Sequence, residues 1–134
     1  MKKFELTSEF VTFLGKKLFR IKALVSFGDV KEGELGGLVE KEENLDQSGN
    51  AWVSGDARVQ NCRDYSATSC FGSENRTTTF FRTKDGEISV RCGCFYGTLN
   101  EFREKVKERH GDSRLAKEYL MLADLMEFRL SKDE

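Results

Sequence analysis

The chain lacks proline altogether, has one histidine and one tryptophan, and carries almost no net charge, its 22 Lys and Arg offsetting 23 Asp and Glu over 134 residues. Without proline, nothing removes a ladder donor from a strand or breaks a helix, so turns must fall to glycine, asparagine and aspartate. The charge balance gives no global field that would draw in nucleic acid or an anionic membrane. Long hydrophobic runs are missing too. The richest stretch, Lys17 to Phe27, is too short and too interrupted by charge to cross a bilayer, and the first residues do not read as a signal peptide. A cytoplasmic protein is the expectation.

Four cysteines are present, Cys62, Cys70, Cys92 and Cys94. In a reducing compartment they are expected as thiols, not disulfides. Cys92-Gly93-Cys94 with Cys62 and Cys70 would supply four thiolates to tetrahedral zinc, yet paired knuckles with two-residue gaps are missing, and buried free cysteine is common in strands. Neither a metal nor another cofactor is expected.

The most informative pattern is a spacing of six. In Asn50-Ala51-Trp52-Val53-Ser54-Gly55-Asp56-Ala57-Arg58-Val59, Ala51 and Val53 recur as Ala57 and Val59, with Gly55 and Asn61 closing each unit. A small residue and a branched one pointing inward, with Gly or Asn at the corner, is the repeat of a hexapeptide solenoid. On that reading Trp52 faces outward. Continuing the count puts Tyr65 and Phe71 at the inward position and Arg63 and Ser69 where alanine stood, so regularity fades. Roughly one coil and a half cannot shield its own ends, and a homo-oligomer is the economical way to close them.

Flanking stretches read differently. Residues 4–27 alternate like a hairpin turning at Gly15-Lys16, and 28–40 break every apolar pair with turn residues, as a cap entering the solenoid would. From Thr77, a β-branched and aromatic run leads to a turn at Asp85-Gly86 and a second strand in which Ile88, Val90, Cys92 and Cys94 share one face and Ser89 and Arg91 the other. Thr98 and Glu101 form a capping box, Gly111 ends that helix, and Asp112 or Ser113 caps another whose apolar stripe runs Leu115, Tyr119, Leu122, Met126 and Leu130. The expected fold is α+β: a β cap (1–43), a short left-handed β-helix of hexapeptide type (44–76), and a β-hairpin with a helical hairpin (77–134).

The segments Gly33 to Glu40 and Gly49 to Val59 resemble the opening of phage and prophage proteins with hexapeptide-type β-helix repeats. Thr77 to Phe81, Asp85-Gly86, Arg91 to Phe95, Gly97-Thr98-Leu99, Phe102 and His110-Gly111-Asp112 are similar to a small module of the same proteins. Here the repeat array is shortened, which argues against a fibre. Phage proteins that sequester cyclic nucleotides or cyclic ADP-ribose variants are similar in size and work as oligomers, so the resemblance implies an anti-defence role.

Among the residues themselves, Arg76, Arg82 and Arg91 lie on or beside the second hairpin, next to Thr78 and Phe80. If Arg82 and Arg91 share a face, guanidinium forks, a hydroxyl and a ring would together suit a phosphate and a base. Trp52 and Arg58 on the solenoid wall offer a second stacking and anion-binding position. These seven residues are the candidate ligand site, for a small nucleotide-derived immune signal held without hydrolysis. Two alternatives stand beside it. One is a protein-interaction module that blocks a bacterial defence enzyme. The other is an acyltransferase-like enzyme with His110 as base, against which stand the position of His110 outside the repeats and its suitability as a helix C-terminal residue. On the first helix, Arg103, Lys105, Lys107 and Arg109 alternate with Glu101, Glu104 and Glu108, the pattern of a solvated face and not of a phosphate track.

Overall fold

A computed structural model describes residues 2–47, 49–71, 76–92 and 95–131. The first hairpin forms as alternation predicts, with its loop at Leu14-Gly15, one residue before the expected Gly15-Lys16: β1 (Phe4–Phe13) pairs antiparallel with β2 (Lys16–Ala23), Phe13 against Lys16. Next, β3 (Leu35–Val39) adds antiparallel to β2, and β4 (Arg58–Val59) adds parallel to β3, Leu38 against Arg58 and Val39 against Val59. A second sheet is an antiparallel meander of β5 (Tyr65–Phe71), β6 (Arg76–Arg82), β7 (Ile88–Cys92) and β8 (Phe95–Thr98). The helices α1 (Leu99–His110) and α2 (Arg114–Leu130) follow, making an α+β fold with two four-stranded sheets among the described residues. The segment 44–76 thus contributes strands to both sheets.

The second sheet is covered on both faces, and the adjacent Phe80 and Phe81 divide the work. Side chains alternate along a strand, so Phe80 points to the helices and Phe81 to the first sheet, and both are fully buried. On the helix side, Phe80 meets Phe102 edge-on at 5.8 Å, and Val90, Val106, Leu122 and Met126 complete the core. On the other side, Phe81 joins Phe4, Ile21, Val39, Trp52 and Val59. Both helix caps form as read: Thr98 accepts from the Glu101 N–H while Glu101 accepts from that of Thr98, and Ser113 accepts from the Ala116 N–H.

Trp52 corrects the outward reading. It is 1% exposed, and Ala51, Val53 and Ser54 are buried beside it. The segment runs between the two sheets: the backbone N–H of Trp52 donates to Thr79 Oγ1 of β6 at 3.2 Å, and Val53 O accepts from the Gly37 N–H of β3 at 2.9 Å. A segment covered on both sides has no outward face, so alternation cannot assign one. The Trp52 ring packs edge-on against Phe4 and Phe27.

The Gly36-Gly37 pair, expected as turn chemistry, lies inside β3. A Cβ at Gly36 would stand 2.7 Å from Val53 O, 2.6 Å from Trp52 Cζ2 and 2.8 Å from Ile21 Cγ1. Glycine there admits the crossing segment at close range. Among the described residues, no helix is long and apolar enough to cross a membrane.

Candidate functional site

Strand register decides the fate of the arginine cluster. Arg82 sits opposite Ile88, whereas Arg91 sits opposite Thr79, so the two arginines occupy strand positions of opposite parity. They emerge on opposite faces of the second sheet, contrary to the shared face expected from the sequence. Each is engaged within the fold. Arg82 Nη1 lies 3.0 Å from Asp64 Oδ1, and its Nε donates to Leu130 O at 2.7 Å, tying β6 to the end of α2. Arg91 Nη1 donates to Glu34 Oε2 at 2.8 Å and to Ser54 Oγ at 3.0 Å, and its Nη2 donates to Asp29 O at 3.3 Å. The Glu34 carboxylate thereby takes a position that a ligand phosphate would need.

The remaining candidates do not converge on either arginine. Thr78 is buried and donates to Cys92 Sγ at 3.2 Å, and Phe80 is core. Arg58 pairs with Asp56 at 2.9 Å and lies over the Phe13 ring at 5.2 Å. Of Arg76 the structure describes the backbone, paired with Phe71 at the start of β6. The side chains of Cys62 and Cys70, and Cys94 altogether, fall outside the described residues, and Cys92 is a free thiol. His110 ends α1 with its ring stacked on Tyr119 at 5.8 Å.

What the fold does display is apolar surface at two places that the sequence reading passed over. The first is the tip of the β1–β2 hairpin. Leu14 and Gly15 form its two-residue loop, both with positive φ (52° and 81°), as hairpin twist demands. Among the described residues Leu14 is the one non-glycine with positive φ, and it is 73% exposed. A left-handed conformation costs a leucine roughly 1–2 kcal/mol, and neither burial nor glycine's freedom offsets that here. Behind it, Phe10 is exposed on β1, tilted against Phe19 at 5.8 Å, with the Lys17 ammonium over its ring at 4.7 Å. Lys16 reaches Glu40 at 3.7 Å and remains largely exposed. Apolar tip and flanking ammonium groups together suit an apolar cleft with an acidic rim. The signal was legible in the sequence: Leu-Gly stands where Asn-Gly or Asp-Gly would be the unstrained choice.

The second is α2. Met121, Leu125 and Phe128 recur at helical spacing on the face away from its buried stripe and are all exposed.

Among the described residues, Lys3 is the one amine drawn into the core region: its Nζ donates to Ala51 O at 2.8 Å and Gly49 O at 3.4 Å and lies over the Phe27 ring at 4.9 Å. Burial pulls its pKa down from 10.5 to about 8, against the opposing charge of Asp46. Among the described residues, no group of three or more His, Cys, Asp or Glu is placed to hold a metal ion. No family, curated protein or solved structure with which the chain was compared matches it.

Proposed function

We propose that this chain is a small, non-catalytic binding protein that acts by protein–protein contact through the β1–β2 hairpin tip. Leu14 carries the reading. A fold that leaves a leucine strained and exposed at a hairpin tip spends stability without gaining core, and strain of this kind concentrates at functional positions. The partner surface that fits is an apolar cleft with carboxylates at its rim, matching Leu14 and Phe10 with Lys16 and Lys17. On this reading the chain is a phage-encoded, homo-oligomeric protein that blocks a bacterial defence enzyme in the cytoplasm. The parallel contact of β3 with β4 and the burial of Ala51, Val53, Ala57 and Val59 support reading the repeat segment as a shortened left-handed coil of hexapeptide type.

A photo-crosslinking amino acid at position 14, introduced in bacterial cells, tests the contact. A discrete protein adduct, absent when the crosslinker sits at solvent-exposed Glu5, is the expected result. No adduct at position 14 would overturn the reading.

Sequestration of a nucleotide-type signal remains the second reading, moved to the seam between the sheets. Arg91 and Tyr96 are direct cross-strand partners, Tyr96 is half exposed, and the Ser54 hydroxyl lies beside the guanidinium, so a phosphate bound there would have to displace the Glu34 carboxylate from Arg91. The purified protein would be incubated with bacterial nucleotide signals, washed and heat-denatured. Intact nucleotide released into the supernatant would favour this reading over protein contact.

A further inference from the structure

We propose that the exposed face of α2 is where two copies of this chain meet, the helices packing antiparallel about a two-fold axis at Ala123. The proposal rests on the self-assembly included in the function proposed above, and it concerns a different face from the hairpin tip. With 17 residues, α2 is about 25 Å long, and Met121, Leu125 and Phe128 form an apolar stripe opposite the residues that it buries against the second sheet.

What selects a second copy over another occupant is the charge arrangement along the stripe. An isologous antiparallel pair centred on Ala123 sets Met121 against Leu125 of the second copy and Leu125 against its Met121. The same register brings Glu118 of one copy to Arg129 of the other, and the two-fold makes that pair twice. Lys117 arrives beside Phe128, where an ammonium over a ring is favourable. All of these side chains are exposed in the single chain. Asp124 comes closest to its own copy near the axis, and its charge is already met by Arg103 at 2.8 Å. Three kinds of contact, apolar, ionic and cation–π, are satisfied by one register without moving the backbone.

One helix pair buries less than the roughly 800 Å² per partner of a standard interface, so a dimer of micromolar affinity is expected. Sedimentation of the full-length protein across micromolar concentrations is the test, with melting temperature followed for every variant to verify folding. The wild type should dimerise, and Phe128→Glu should weaken the dimer about tenfold or more. Glu118→Arg and Arg129→Glu should each weaken self-association by placing like charges together. Mixed in equal amounts, those two variants should associate again, because each copy then supplies what the other lacks. A monomeric wild type would overturn the proposal together with the self-assembly on which it rests. A dimer unaffected by Phe128→Glu would leave self-assembly standing and overturn this face, as would charge variants that fail to recover on mixing.

Discussion

Arg82 Nη1 stands 3.0 Å from Asp64 Oδ1, and through this pair the second sheet is fastened to the loop that leads out of the first. Asp64 Oδ2 accepts from the Gln60 N–H at 2.8 Å, and Arg82 Nε donates to the last turn of α2. One guanidinium thus joins three parts of the chain, and both side chains are mostly shielded from water.

Arg82→Ala should therefore act on stability. Loss of two charge-assisted hydrogen bonds, with the Asp64 carboxylate left short of a partner, should cost about 2 kcal/mol. Arg82→Lys should retain part of this, since one ammonium cannot reproduce the fork. Denaturant titration checks both, and an alanine variant as stable as the wild type would remove the structural role.

Gly36→Ala should be among the most damaging single substitutions. An added methyl meets a backbone carbonyl and the Trp52 ring, neither free to withdraw, and should cost about 1–3 kcal/mol. Trp52 fluorescence should report the shift. If the variant keeps the wild-type melting temperature and emission, the close approach of the 51–54 segment to β3 is wrong.

Lys3 makes stability depend on alkaline pH. Its folded pKa, about 8, lies below its ordinary value of 10.5, so between those values the unfolded chain holds more protons and stability rises with pH. Below about pH 8 the cost of burying the ammonium is constant. Stability measured relative to Lys3→Met should accordingly be flat near neutrality and move in favour of the wild type as pH rises through this window. A difference that does not change with pH would mean that the amine is not buried as described.

The local grammar of this fold was largely legible: the first hairpin, the Asp85-Gly86 turn, the capping box and the α2 stripe all follow from spacing and turn chemistry. The second turn keeps the expected hydrogen bond from the Gly86 N–H to Thr83 O, with Gly86 at positive φ. Relations between segments were not legible. Parity within β7 places Arg91 opposite the Ile88 face, but only its register against β6 reveals that Arg82 belongs with Ile88. Trp52 misled for a related reason, because a segment pressed between two sheets has no solvent side for alternation to mark. As for the candidate site, the residue types that suggested a ligand are used here to join elements, and the displayed leucine could be read from its Leu-Gly turn once that turn is placed at 14–15 and not at Gly15-Lys16.

The most direct measurement on the central claim is Leu14→Asn, read for stability and for affinity toward the protein crosslinked at position 14. Asparagine adopts the left-handed conformation at lower cost than leucine, while an exposed leucine gives up little burial, so the variant should be more stable by about 1 kcal/mol. Its affinity for that partner should fall about tenfold or more, because the apolar tip is gone. A more stable protein that binds poorly is the predicted result. A variant that binds as well as the wild type would contradict the claim that this chain works through its hairpin tip.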